Sequence, residues 1–343
     1  MSACTYGVFL FLAIETFSMQ RFGLKHTTLA LLFASVGWCA QASAADSDIN
    51  LTGPLLTASP NVPSKGTWNI EPYLMYYKSA DSYDDRGDTQ AKDNSTHQWQ
   101  TLVPITYSVT DRFMLTASVG MAHAMSAGMR TDGWGATDTS IGGQYQLLTH
   151  NEQRTTPALA VRYTHRFPTG SYDKLNENPL NATGNGAHVD TFSLLAQQYA
   201  WLPNGRPLRF RASISYSLPP SHVDVKGTSA YGTPQDFHGG IRLGSAFDIS
   251  TAVEYSIDSK WALALDLTYN RSSASQLHGV QGKGENIAPF SRRDPVQHVY
   301  SLAPAVEYNF NDRFGLIAGV QFSFAGRNND AFMTPMAAFN MVF

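Results

Sequence analysis

Beyond residue 44 the chain alternates apolar and polar side chains with a period of two, segment after segment. Leu208, Phe210, Ala212, Ile214, Tyr216 and Leu218 are interleaved with Arg209, Arg211, Ser213, Ser215 and Ser217. Trp99, Thr101, Val103, Ile105, Tyr107 and Val109 form a second series, and Trp261, Leu263, Leu265, Leu267 and Tyr269 a third. Such segments are strands with one face in an apolar medium and the other against polar groups or water. The pattern predicts twelve, over approximately 67–78, 97–109, 113–123, 138–148, 157–167, 189–202, 206–218, 240–257, 260–270, 298–310, 314–324 and 332–343.

A soluble β-sandwich alternates in the same way, so the connections have to decide. Those after the second, sixth, eighth and tenth strands are tight: Thr110-Asp111-Arg112, Pro203-Asn204-Gly205, Asp258-Ser259 and Asn311-Asp312-Arg313. The one after the fourth, His150 to Arg154, is also short, whereas those after the first, third, fifth, seventh and ninth are long and polar. Sorting of loops by parity is what a membrane barrel with short periplasmic turns and long external loops shows. Outward-parity aromatics gather at both strand ends: Trp68, Phe113, Trp261, Phe310, Phe314 and Phe343 on the short-turn side, and Trp99, Phe167, Phe192, Tyr216, Tyr269, Tyr300 and Phe324 on the other. Two aromatic girdles mark two water–lipid boundaries. The implied fold is all-β: a transmembrane up-and-down antiparallel β-barrel of about 12 strands over 67–343. It must be closed, because an open edge in hydrocarbon leaves backbone groups unpaired.

Composition fits this reading. Only 15% of the 343 residues are charged, against roughly 25% in a typical soluble domain. A net charge of −3, without a basic stripe, gives no case for nucleic acid. The start reads as a secretory signal peptide over 1–44, its true start at Met19: Arg21 and Lys25, then the apolar run Leu29 to Val36, then Ala42-Ser43-Ala44. The run falls short of the roughly 20 residues of a spanning helix. Lipidation at Cys39 is disfavoured by Trp38, which stands where a small residue is needed. Cys4 and Cys39, the two cysteines, both lie in this segment, so the mature chain has no disulfide, thiolate metal site or cysteine nucleophile. Residues 45–66 contain Pro54, Pro60 and Pro63 and little alternation; they either thread into the lumen or, by default for such a terminus, form a periplasmic N-terminal segment.

Inward-parity positions carry small polar residues and a few charges. Arg162, Arg166, Arg209, Arg211 and Arg242 form a basic arc, and Asp248, Glu254, Asp266, Glu307 and Glu71 an acidic one. These ten are the candidate pore-lining residues. Two arrangements are open: opposed arcs setting up a transverse field across a pore, or charges that pair and brace a closed lumen.

The stretches Gly135-Ala136-Thr137-Asp138-Thr139, Pro157-Ala158-Leu159-Ala160, Phe167-Pro168-Thr169-Gly170-Ser171-Tyr172 and Pro304-Ala305-Val306-Glu307-Tyr308 carry a family resemblance. So do Phe324 to Asn329 and Met336 to Asn340. From Trp68 to Phe343 the chain is similar to the outer-membrane transporters associated with the meta-pathway of phenol degradation. The resemblance implies passage of aromatic compounds. A terminal strand ending in Phe343 also resembles the signal read by the outer-membrane barrel-assembly machinery.

The expected function is therefore passive uptake of small molecules across the outer membrane of a Gram-negative cell, with bilayer lipid, the assembly machinery and a small solute as partners. A structural or adhesive barrel without an open pore is the alternative. An outer-membrane hydrolase is the rival class, but His165 near Ser171 belongs to neither an HxSNG-like nor a GxSxG pattern, and the chain is read as a non-enzyme. The ten histidines show no pair at i, i+2 or i, i+4. Asp81, Asp84, Asp85, Asp88 and Asp93 lack EF-hand spacing and read as a solvated loop. No cofactor is implied.

Overall fold

The structure, a computed structural model, describes residues 51–282 and 284–343; the segment expected to be a secretory signal lies outside them. Twelve antiparallel strands close into a barrel. They are β1 (Trp68–Ile70 resuming as Tyr73–Tyr83), β2 (Thr89–Thr110), β3 (Phe113–Ser126), β4 (Thr139–Leu148), β5 (Ala158–Phe167) and β6 (Val189–Trp201). The second half is β7 (Pro207–Leu218), β8 (Ala246–Ser256), β9 (Trp261–Ser272), β10 (Gln297–Asn309), β11 (Phe314–Arg327) and β12 (Asn329–Val342). Each pairs with its neighbours in sequence, and β12 returns to β1 through Met333↔Lys78 and Met336↔Met75. β1 breaks at Glu71-Pro72 because proline has no N–H for the ladder. Its carbonyl still accepts from Phe339 N at 3.1 Å, so closure survives the break.

Side-chain parity is clearest on β9. Trp261, Leu263, Leu265 and Leu267 are 42–46% exposed, while Ala262, Ala264, Asp266 and Thr268 are at most 6%. Large apolar residues face out on strand after strand, and an exposed belt of this extent is satisfied only by lipid. Leu265→Arg should therefore impair assembly, since a midplane arginine facing lipid costs about 2–4 kcal/mol. Asp266→Asn, facing inward, should assemble normally. Equal yields of heat-modifiable barrel from the two variants would contradict this parity.

The tight turns are locked by side chains that replace missing backbone partners. Asp258 accepts from Lys260 N and Trp261 N, each at 2.7 Å, and these amides, Trp261's first, hold its carboxyl below the usual range. Asn311 accepts from Arg313 N and Phe314 N, and Asn204 from Arg206 N. The other end differs from the expectation in three places. β2 starts at Thr89 rather than 97, because β1 and β2 continue as a hairpin to a turn in which Asp84 accepts from Arg86 N and Asp88 N. β8 starts at Ala246 rather than 240: a Cβ on Gly244 would sit 2.1 Å from the Ser273 carbonyl oxygen, so the chain bends there between two sheets. The β11–β12 connection is also tight, with Asn328 at φ 51° taking the left-handed turn.

Beyond that bend a second, four-stranded sheet is formed by Val223–Lys226, His238–Arg242, Ser275–Gln281 and Ala288–Asp294. Its core, with Val225, Phe237, Ile241 and Leu277 fully buried, also takes in Val189 at the start of β6. Epitope tags at Asp85 and Glu177, on the long-loop side, should be readable on intact cells, and a tag at Asn204 only after permeabilisation. Surface reading at Asn204 would reverse the orientation.

Candidate functional site in the barrel lumen

Residues 51–63 lie inside the barrel, the lumenal of the two placements read from the sequence, and residues 64–66 are exposed at its short-turn rim. Together they form a loop inserted from the short-turn end. Thr52 Oγ1 donates to Asn309 Oδ1 (2.5 Å) and Gly53 N to Glu307 Oε2 (3.2 Å). Leu55 packs among Ala264, Ala303, Ala305, Ile317, Met336 and Ala338. At the apex, Thr57 N and Oγ1 both donate to Asp266 Oδ1 at 2.9 and 2.7 Å. The chain then crosses to β4, where Gln144 Nε2 donates to the carbonyls of Ser59 (3.1 Å) and Pro60 (3.0 Å), and Val62 N donates to Gln146 Oε1 (3.0 Å). It leaves at the β2–β3 turn, Lys65 N donating to Asp111 Oδ1 at 2.8 Å. A segment without secondary structure has to find side-chain partners for its backbone groups, and the barrel wall supplies them. Gly53, at φ 137°, is needed: a Cβ there would be 3.1 Å from an Arg211 nitrogen.

The charged residues fall into groups according to this loop. Arg209 and Glu254 are directly opposed in register on β7 and β8. The guanidinium grips the carboxylate with both arms, Nε at 2.7 Å, and Nη2 also donates to the Leu51 carbonyl at 3.3 Å. Arg211 Nε is 3.4 Å from the same carboxylate and 3.0 Å from Gln197 Oε1, and Nη1 donates to the Thr57 carbonyl at 3.3 Å. These charges are neighbours on one wall rather than opposed arcs. Strand adjacency explains it: the register of β7 on β8 sets Arg209 and Glu254 side by side. Glu307 and Asp266 anchor the inserted loop. Glu71 accepts from Tyr73 OH at 3.0 Å, and Asp248 from Asn270 Nδ2 at 2.6 Å. Arg162 donates through Nε and Nη2 to Gln144 Oε1, at 2.9 and 2.6 Å. Arg166 Nε lies 3.9 Å from Asp138. Arg242 departs from the expectation: it is exposed in the second sheet, beyond the bend at Gly244, and is not on a barrel strand.

Two cavities remain. The lower, about 690 Å³, is bounded by residues 51–59 and by Glu71, Arg162, Arg209 and Arg211. The upper, about 560 Å³, lies among Arg166, Asp248, Ser217, Gly244 and Ser273, below the junction with the second sheet. Ser140 and Thr164 stand in the walls of both. The uncharged residues that matter, Gln144, Gln146, Gln197 and Asn309, are not among the ten charged candidates of the sequence. Their inward parity was the available signal, since an inward amide can accept from an arginine and donate to a carbonyl. His165, paired in sequence with Ser171, contacts Asp190 (2.7 Å) and His188 (3.1 Å) at the outer rim instead.

A closed twelve-stranded barrel with an apolar outer belt and a polar interior defines a transmembrane barrel of the outer-membrane class. The chain belongs to the family described as the MetA-pathway of phenol degradation, whose model matches residues 122–331, more than half of its length. Among solved structures it is similar to the COG4313 outer membrane channel from Pseudomonas putida F1, at 14% identity and a TM-score of 0.60, over 82% of this chain and 97% of that one. The transport unit of the autotransporter AIDA-I from Escherichia coli matches at 10% identity and a TM-score of 0.45, over 84% and 94% of the two chains. The TodX monoaromatic hydrocarbon channel, as a deltaS2 mutant, matches at 9% and 0.37, over 83% and 91%. The last two likenesses are too loose to carry an argument. No curated protein matches the sequence.

Proposed function

We propose that this protein is a passive outer-membrane channel for small solutes, with aromatic compounds as the substrate class. The observation that carries the reading is the pair of lumenal cavities with Ser140 and Thr164 in the walls of both, each large enough for a small organic molecule. Membership in a family described by phenol degradation supports it, as does the likeness to an outer membrane channel of Pseudomonas putida F1. Small hydroxyl and amide groups along the route offer hydrogen bonds without a deep binding site, which suits conduction. The inserted loop narrows the lower half and favours a second reading, a closed structural barrel. Planar-bilayer recording of the refolded full chain separates them: discrete conductance steps support the channel, and a silent, folded barrel rejects it. The terminal strand pairs back to Trp68 through Phe343 N at 2.9 Å, and we assign Phe343 the further role of presenting this strand to the assembly machinery.

A further inference from the structure

Just above the outer aromatic girdle, the lipid-facing wall carries a second pattern. Arg271, His298 and Arg327, on β9, β10 and β11, stand directly opposite one another in register. All three share the lipid-facing side with the girdle residues below them, Tyr269, Tyr300 and Phe324, of which Tyr300 is 40% and Phe324 50% exposed. The rings form a continuous platform, with Tyr269–Tyr300 centroids at 4.7 Å and Tyr300–Phe324 at 6.2 Å. One strand further on, past β12, Lys78 of β1 is exposed two residues above Tyr76 and opposite the lipid-facing Met333. Two residues of strand amount to about 7 Å, so this row sits one headgroup layer above the rings. Across the barrel the matching position of β6 is an acid, Asp190, held by Tyr163 and His165. The cationic sector is thus one-sided.

Aromatic girdles mark the depth of the lipid headgroups, so the row directly above one faces headgroup phosphates. Arg271 and Arg327 are two strand spacings apart, about 10 Å; Lys78, level in register with Phe322 through Met333, flanks them two strands beyond Arg327 and lower along the strands. One phosphate does not span that distance; a headgroup bearing two does. Guanidinium groups grip phosphate oxygens in pairs, and the rings beneath would pack against the acyl and sugar portions. We propose that the β9–β10–β11–β1 rim binds a diphosphorylated glycolipid of the outer leaflet. The inference rests on the outer-membrane placement with long loops outside, and is independent of whether the lumen conducts.

The test uses the refolded full chain and diphosphoryl lipid A as the probe, with fully dephosphorylated lipid A and phosphatidylethanolamine as comparisons, and bound lipid counted by native mass spectrometry. Wild type should retain the diphosphorylated probe on the order of tenfold more than the dephosphorylated one. The triple variant Lys78→Gln, Arg271→Gln, Arg327→Gln should lose that preference, and Arg313→Gln at a periplasmic turn should keep it. If the triple variant fails to fold, Arg271→Gln alone should weaken the preference and Arg271→Lys restore part of it. Undiminished preference in the folded triple variant, or in Arg271→Gln where only that folds, overturns the proposal. So does full displacement of the probe by millimolar inorganic phosphate, which would make the row a free-anion site.

Discussion

Deleting residues 51–63 should raise single-channel conductance severalfold and leave the barrel folded and heat-modifiable. The loop makes its contacts with the wall through Leu51, Thr52, Gly53, Leu55, Thr57, Ser59, Pro60, Asn61 and Val62, and it occupies the short-turn half of the lumen. The strand ladders that hold the barrel do not involve it. Removing it exposes Glu307 and Asp266, which are fully buried beneath it, to the aqueous path. The widened pore should then prefer cations, because Glu254 is paired directly with Arg209 and Arg211 whereas Asp266 and Glu307 lose the loop groups that they hold. Bilayer recording in a salt gradient reads both effects. Unchanged conductance and reversal potential would mean that the loop does not limit passage.

The second large effect is on stability. Glu254→Gln should destabilise the barrel by about 3–5 kcal/mol, because it removes the carboxylate that pairs directly with the buried Arg209 and Arg211. Both arginine side chains are only 7% exposed and the glutamate is fully enclosed, so water can screen little of the loss. Adding Arg209→Gln to this variant should recover part of it, by removing one of the two stranded cations. Denaturant unfolding followed by gel mobility measures all three proteins. If Glu254→Gln unfolded at the wild-type midpoint, the ion pairs would be contributing nothing.

How much of this was legible in the sequence varies with the range of the interaction. On β9, lipid and lumen make opposite demands on successive residues, so Leu265 and Asp266 announce their sides without any structure. Asp258 and Asn311 announce their turns for the same local reason, since each carboxyl or amide serves backbone groups two or three residues on. The loop at 51–63 gives no such sign. Its partners Glu307, Asp266 and Gln144 come from strands far along the chain, and nothing periodic in Pro54, Pro60 or Pro63 points to them. The inward charges are legible but their arrangement is not, because parity reports the face a residue takes and adjacency of β7 to β8 decides what it meets. Arg242 misled for a further reason: alternation runs unbroken from barrel strand to second sheet, and only the crowding at Gly244 separates them.

Solute flux tests the central claim most directly. Proteoliposomes of the refolded full chain should swell faster in a phenolic carboxylate, which does not cross lipid unaided, than in a disaccharide at equal osmolarity. Protein-free liposomes should swell in neither. Equal and negligible rates for both solutes in folded protein would contradict a channel, and faster entry of the disaccharide would contradict an aromatic-selective one.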